Sequence, residues 1–213
     1  RQFEADLNLR SGLIKTIYNP ALDDSLYLKA KEPVEHPWFK DGEPPVILGV
    51  GRLVDQKDFA TLIRAFKLVR RTQRARLVIL GDGPEKRKLE AQVRELGLEN
   101  DVALLGFTPN PYAYMARAKV FVLSSAWEGL PTVLIEAIAL GTPVVSTNCK
   151  SGPEEILDGG NYGELVSVGN SEAIATAILS ILSGNAKQVD RVWLDQFTWK
   201  TSLQKYRDLL GIT

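Results

Sequence analysis

The sequence predicts a doubly wound, Rossmann-like α/β domain: a parallel sheet of about six strands with helices on both faces. Three observations carry that reading. Short apolar, β-branched runs alternate with stretches whose apolar residues recur at helical spacing. The short runs are apolar throughout, without a polar alternation, which marks strands buried on both faces. The connections are brief, so successive strands join by right-handed crossovers into one parallel sheet.

Taken in order, Val46–Gly51 is the first strand, and Phe59–Val69 follows with a helical pattern. Leu77–Leu80 is the second strand. Glu85–Leu96 then alternates charges around Leu89, Val93 and Leu96, which are spaced four and three apart on one helical face. Val102–Leu105 is the third strand, and Tyr112–Ala118 a short helix. Val120–Leu123 is the fourth, followed by a helix over Pro131–Leu140. Val144–Ser146 is the fifth, with a short helix at Pro153–Leu157; Leu165–Val168 is the sixth, and Ile174–Leu182 is an amphipathic helix. The domain therefore covers residues 44–184. Residues 1–43 hold one apolar stretch, Leu13–Tyr18, and a proline-spotted segment through Pro33, Pro37, Pro44 and Pro45, which predicts a linker. Residues 185–213 carry Trp193, Phe197, Trp199, Tyr206 and Leu209 and predict one or two helices packed by aromatic side chains.

Composition narrows the function classes. The chain has 213 residues, 24% charged and 45% hydrophobic, as expected of an ordinary globular protein. Twenty-six basic and 26 acidic residues leave a formal net charge of zero, which argues against a general nucleic-acid binder. The single cysteine, Cys149, allows no intrachain disulfide and fits a reducing compartment. No run of about 18 apolar residues is present to span a membrane. The first residue is Arg1 and no signal-peptide pattern follows it, so the sequence reads as a piece of a longer protein.

Sheets of this kind bind ligands beyond the carboxyl ends of their strands, and the informative residues lie there. In "VGRLVDQKDF", Gly51 closes the first strand, Arg52 follows, and Lys57 comes five residues later near the start of the next helix. A rigid guanidinium fork and a mobile ammonium make a candidate diphosphate clamp; the alternative is solvated charge, with Lys57 paired to Asp55 or Asp58. In "LGDGPEKRKL", Gly81, Asp82 and Gly83 form a tight turn, with Pro84 suited to a first helical position. The third glycine of a dinucleotide fingerprint is absent, since Lys86 stands there, so a capped βα turn is the alternative. In "LLGFTPNPYAYM", Gly106 ends a strand and two prolines hold the next backbone extended. That backbone either reads a base edge or forms a rigid loop.

The stretch "AWEGLPTVLIEA" combines a helix start at Pro131 with two carboxylates, Glu128 and Glu136. Thr132 and Val133 present first-turn N–H groups that, with the helix dipole, suit a phosphate. Glu136 sits too far along the helix to cap it and suits the paired hydroxyls of a ribose; Glu128, on the preceding loop, suits hydroxyls of whatever the phosphate carries. The alternative makes Glu128 a dipole-favouring acid and Glu136 a solvated residue. Against it, Glu136 lies among Val133, Leu134, Ile135, Ala137, Ile138 and Leu140, and a charge in so apolar a helix costs several kcal/mol unless it is paired. In "STNCKSGPEEIL", Ser151 or Gly152 caps a helix at Pro153, with a donor-contacting role for both as the alternative.

Together these stretches resemble the family-4 retaining glycosyltransferases of GT-B architecture. The matching pieces are "IYNPALD", "GRLVDQKDFATLIRAF", "LGDGPEKRKL", "LGFTPNPYAYM", "VFVLSSAWEGLPTVLIEAIALGTPVVST" and "SGPEEIL", in family order over nearly the whole chain. The resemblance implies that Arg52 and Lys57 hold the donor pyrophosphate and that Glu128 and Glu136 form an E-x₇-E pair touching the transferred sugar and the ribose. It implies backbone contacts to phosphate from Thr132 and Val133, to the base from Phe107 and Thr108, and nucleotide contacts along Gly51, Gly81, Gly129 and Leu130. Arg52, Lys57 and Glu128 are the implied catalytic residues. The donor it implies is a UDP-sugar, handled without metal or cofactor; no His/Cys/Asp cluster of ligand spacing occurs. The family uses two Rossmann-like domains, and this chain matches the carboxy-terminal one. The resemblance therefore implies an absent amino-terminal domain that binds the acceptor glycan or lipid-linked glycan, meets the last helices, and leaves this chain able to bind UDP without turning over. It also implies a cytoplasmic enzyme, free or peripheral at a membrane. Two rival readings remain at this stage: a nicotinamide-dependent oxidoreductase, which wants a complete glycine fingerprint, and a non-catalytic receiver-like module, which wants acids where Arg52 stands.

Overall fold

The computed structural model describes residues 13–212, with Leu7 and Arg10 ahead of them; the rest of residues 1–12 of the predicted flank, and Thr213, lie outside the described residues. Six parallel strands form one sheet in the order β3-β2-β1-β4-β5-β6. They are β1 (Val46–Val50), β2 (Arg76–Leu80), β3 (Val102–Gly106), β4 (Val120–Leu123), β5 (Val144–Thr147) and β6 (Glu164–Val166). The helices are α1 (Asp24–Ala30), α2 (Phe59–Thr72), α3 (Lys86–Glu95), α4 (Tyr112–Met115), α5 (Thr132–Ala139), α6 (Pro153–Ile156), α7 (Ser171–Leu182), α8 (Arg191–Leu194) and α9 (Trp199–Leu210). Each strand predicted from the sequence is present, with ends shifted by no more than two residues.

Successive side chains on a strand point to opposite faces, and both faces are dry here. Ile47, Leu77, Ile79, Val120 and Val122 enter one apolar cluster with α2, α3 and α7. Val46, Leu48, Val78, Leu80, Phe121 and Leu123 enter a second cluster with α1, α5, α6 and Phe197. This two-sided burial is why the strands read as unbroken apolar runs. At the amino edge of the sheet, Arg70 Nε donates to Asp101 Oδ2 at 2.9 Å and Arg76 ion-pairs with Oδ1, tying the end of α2 to the starts of β2 and β3.

The flanks differ from expectation in two ways. The segment predicted as a linker contains α1, whose first turn is capped by Asp23: Oδ1 accepts from Ser25 N at 2.7 Å and Leu26 N at 3.3 Å. Leu22, Leu26 and Ala30 are buried. Seven residues between Pro20 and Pro33 carry too little periodicity to signal a helix. At the other end, the predicted aromatic packing holds only for Phe197, which is fully buried, and Trp193, whose Nε1 donates to Ile156 O at 2.8 Å. Trp199, Tyr206 and Leu209 are instead exposed, and Ser202 is the one buried residue of α9.

Phe121 sits at the middle of the second cluster with no exposed surface. Phe121→Ala is expected to cost about 3–5 kcal/mol of stability, read from urea unfolding midpoints at constant m-value.

Candidate functional site

The sheet order creates a switch point. The chain leaves β1 toward β2 on one side, but β1 also pairs with β4 on the other, Ile47 against Val120 and Leu48 against Phe121. The crevice beyond the carboxyl ends of two such strands is where open α/β sheets hold ligands. The loop after β1 carries Gly51, Arg52 and Lys57; the loop after β4 carries Ser124 through Pro131.

A polar seam joins these two loops. Lys57 Nζ lies 2.5 Å from Glu128 Oε1, and Ser125 Oγ donates to the same oxygen at 2.6 Å. Ser124 Oγ donates to Lys57 O at 2.7 Å, Ala126 N to Gln56 O at 2.8 Å, and Gln56 Nε2 to Trp127 O at 2.9 Å. Thr147 Oγ1, from the end of β5, donates to Ser125 O at 2.6 Å and braces the loop from below. The Glu128 side chain is 7% exposed and that of Lys57 17%. A carboxylate so buried requires a cation and hydrogen bonds to hold its charge, and one of its oxygens has both. Among the described residues Glu128 Oε2 accepts no hydrogen bond.

The local partners considered for Lys57 from the sequence are used elsewhere. Asp58, in the left-handed conformation at φ 41°, caps α2 by accepting from Thr61 N at 3.1 Å and Thr61 Oγ1 at 2.6 Å. Asp55 faces Lys88 at 3.7 Å. Lys57 closes a single 3₁₀ turn, Asp55–Lys57, ahead of α2 rather than sitting in its first turn. Arg52 is exposed, and its side chain takes no hydrogen bond or ion pair among the described residues, while its carbonyl accepts from Val54 N at 2.9 Å.

The glycine turn after β2 packs against the loop after β1. Gly81 has φ 138°, and a methyl built on it would fall 1.8 Å from Gly51 O; one on Gly83 would fall 2.4 Å from Leu53 O. Leu53 N donates to Asp82 O at 2.9 Å across the same contact. These glycines permit close backbone approach. Pro84 and Glu85 form a turn, and α3 begins at Lys86, two residues after the expected Pro84. With Val50, Arg52, Phe107, Thr108 and Pro111, Gly51 and Gly81 line a cavity of about 290 Å³. Phe107 is 79% exposed at its rim.

On the other side of the seam, Gly129 and Leu130 lead to Pro131, whose ψ of 92° makes it the residue before α5 rather than its first helical residue. No side chain caps α5, so the N–H groups of Thr132 and Val133 face outward at its positive end. Gly152, at φ 88°, presses on this turn: a methyl there would fall 2.4 Å from Gly129 O and 2.6 Å from Pro131 Cδ. Of the two candidates for the cap of α6, Gly152 holds the position, with no side-chain cap, and Ser151, at φ 68°, precedes it.

Glu136 lies half-buried on α5, and the Tyr112 hydroxyl from α4 donates to its Oε1 at 3.5 Å. Burial pushes its carboxyl up to about 7; the Tyr112 hydrogen bond opposes this and the nearby Asp23 charge adds to it. The rim thus gathers Gly51, Arg52, Lys57, Glu128, Gly129, Leu130, Thr132 and Val133 around one crevice, with Gly81, Phe107 and Thr108 lining the cavity on the β2–β3 side. Sequence reasoning missed Gln56, Ser124, Ser125 and Tyr112; two serines directly after an apolar strand were the one available signal. Among the described residues no group of three or more His, Cys, Asp or Glu could hold a metal ion, and no helix is long and apolar enough to cross a membrane.

The Glu136 carboxyl titrates above its ordinary value, so the protonated form is the one the fold favours. Its contribution to stability is full below about pH 4.5 and is lost as pH rises through about 7. Glu136→Gln, neutral throughout, is therefore expected to gain roughly 1–3 kcal/mol relative to the parent between pH 4.5 and pH 8. Urea midpoints at the two pH values check this.

Comparison with known proteins gives this rim a family. The lipopolysaccharide core biosynthesis glycosyltransferase LpsE of Rhizobium meliloti is 34% identical over 175 residues, covering 79% of this chain and 50% of that protein. An uncharacterised glycosyltransferase of Methanocaldococcus jannaschii is 46% identical over 138 residues, 63% of this chain and 34% of its own length. The chain thus spans about a third to a half of these curated relatives. Among solved structures, Anabaena HepE in complex with UDP superposes with a TM-score of 0.83 at 25% identity, over 97% of this chain and 60% of that one. The lipopolysaccharide outer core galactosyltransferase WaaB gives 0.78 at 27% identity, over 99% and 58%. The family model of glycosyl transferases group 1 matches residues 31–192, and the chain, with the α/β architecture of those enzymes, belongs to that family.

Proposed function

We propose that this chain is the donor-binding, carboxy-terminal half of a family-4 retaining glycosyltransferase. It moves a hexose-type sugar from a UDP-sugar to an acceptor glycan or lipid-linked glycan held mainly by a second, amino-terminal domain. The observation that carries this reading is the seam. It sets a lysine, a buried carboxylate with one open oxygen, an unpartnered arginine and an uncapped helix start around one crevice. Solved relatives named as complexes with UDP and with UDP-glucose support the donor class, and relatives named for lipopolysaccharide core synthesis support the acceptor class.

In this reading charge accumulates on the diphosphate as the bond to the sugar breaks. Arg52, Lys57 and the N–H groups of Thr132 and Val133 stabilise it without reorganising. Those cations and amides supply what a metal would, so the reaction needs none. Lys57 is held by Glu128 before the donor arrives, which fixes an otherwise mobile ammonium; Glu128 Oε2 then takes a hydroxyl of the transferred sugar. Glu136 takes the ribose hydroxyls in its ionised form. Phe107 and Thr108 border the base, and Gly51, Gly81, Gly129 and Leu130 let backbone approach the nucleotide. The exposed apolar residues of α9, Trp199 and Leu203 among them, meet the other domain. The intact enzyme works in the cytoplasm, free or peripheral at a membrane.

Calorimetry with UDP tests the reading. The parent is expected to bind UDP and not NAD; binding of NAD alone would return the sheet to oxidoreductase chemistry. Arg52 is the clean probe, because it is exposed and unpartnered and its removal is expected to leave stability within about 0.5 kcal/mol. Arg52→Ala is expected to weaken UDP by about 1.5–3 kcal/mol, roughly 10- to 150-fold. Unchanged affinity would favour a non-catalytic module. Because ribose binds ionised Glu136, UDP binding near pH 6.5 is expected to release protons. Titrations in buffers of different ionisation enthalpy measure that release, and Glu136→Gln abolishes it. Turnover on a UDP-sugar panel is expected only from the full-length protein.

A further inference from the structure

The segment before α1 is fastened at Tyr18 on three sides. Its ring packs against Phe197 with centroids 5.1 Å apart, its carbonyl accepts from Ser202 Oγ at 2.8 Å, and its hydroxyl donates to Glu155 Oε1. Ala21 N and Leu22 N add bonds to Phe197 O at 2.9 and 3.1 Å. Residue 18 is thereby bound both to the carboxy-terminal block and, across 137 positions of sequence, to α6. Burial and the adjoining carboxylate push the Tyr18 hydroxyl well above the usual phenol range, so it remains a donor.

Helix α6 is a single turn, and its two ends touch different things. Near its carboxyl end Glu155 holds Tyr18, and Ile156 O accepts from Trp193 Nε1 at 2.8 Å. At its amino end Gly152 lies against Gly129 O and Pro131 Cδ with no room for even one methyl group. The Gly129–Pro131 turn sets where α5 begins and so where the N–H groups of Thr132 and Val133 point. A displacement of the entering segment therefore reaches the helix start through one short rigid element.

We propose that Tyr18 is a positioning residue: its hydrogen bond to Glu155 holds α6 and Gly152 against the Gly129–Pro131 turn and so sets the diphosphate-binding start of α5. The inference rests on the donor-binding reading above. It assigns Tyr18, whose described hydrogen bonds go to Glu155 and Ser202 and to none of the rim residues, a share in diphosphate affinity. Any movement of the segment before α1 relative to the sheet is felt first at the phosphate subsite.

The test separates diphosphate from nucleoside. UDP is titrated by calorimetry, and uridine by ligand-observed NMR, into the parent chain, Tyr18→Phe, Glu155→Met and the double variant. Tyr18→Phe keeps the ring on Phe197, and Glu155→Met keeps the side-chain length while offering no oxygen to the Tyr18 hydroxyl, so either reports if the other folds poorly. Each single variant is expected to weaken UDP about 3- to 10-fold, the double variant no further, and uridine affinity to stay at the parent value in all. A bond serving stability alone would leave UDP affinity unchanged or weaken UDP and uridine in parallel. Either result overturns the inference, as do additive losses in the double variant. A parent chain that does not bind UDP instead overturns the donor-binding reading, and this inference with it.

Discussion

One ion pair, Lys57 with Glu128, holds the functional rim together. Glu128 is nearly buried, where an unpaired carboxylate would be costly, and an ammonium and the Ser125 hydroxyl share one of its oxygens. The pair forms because the sheet order sets β4 beside β1, bringing together two loops far apart in sequence. Topology and chemistry are thus one constraint: whatever disturbs the β1–β4 pairing also unpairs a buried charge. The bonds from Ala126 N to Gln56 O and from the Gln56 side-chain amide to Trp127 O spread the same contact over several residues, so the lysine is oriented by its loop as well as by its counter-ion.

The rim is otherwise built from backbone. Gly81 meets the carbonyl of Gly51 and Gly152 that of Gly129, and both contacts require the absence of a side chain. The uncapped start of α5 adds two more main-chain donors. Charged side chains then occupy few positions, and they differ in kind. Arg52 is exposed, Lys57 is held by Glu128, and Glu136 is pushed up to about 7 by burial. On the proposed donor-binding reading, these groups meet the diphosphate from a framework of close backbone contacts, the arrangement that makes electrostatic stabilisation effective.

Most of the fold was legible in the sequence because two-sided burial leaves unbroken apolar strands, and six of them alternate with helical patterns. The α1 helix was not legible: it is short, bracketed by prolines, and held by the Asp23 cap and by Leu22 and Leu26 reaching the core. In the site, the residue types at strand ends drew attention to the loops after β1 and β4, and the fold does bring Lys57 and Glu128 of those loops together. The partners were hidden. Spacing along the chain suggested Asp55 or Asp58 for Lys57, whereas the three-dimensional neighbour lies 71 residues away. The Tyr112–Glu136 contact was equally invisible, since it joins two helices through side chains alone. Trp199 and Tyr206 showed the converse limit: aromatic content predicted packing, but both side chains are exposed.

The distance along the chain between the two halves of the seam has a kinetic meaning. A ribosome adding about 5–20 residues per second needs roughly 4–14 s to go from Lys57 to Glu128. Throughout that interval the lysine loop has been synthesised without its counter-ion, and until β4 is made the central strand has at most one of its two neighbours. Pairings between such distant segments form late, after local helices are in place. Assembly of this rim is therefore among the last events of folding, and a nascent or truncated chain ending before β4 carries both cations and yet no crevice to put them in.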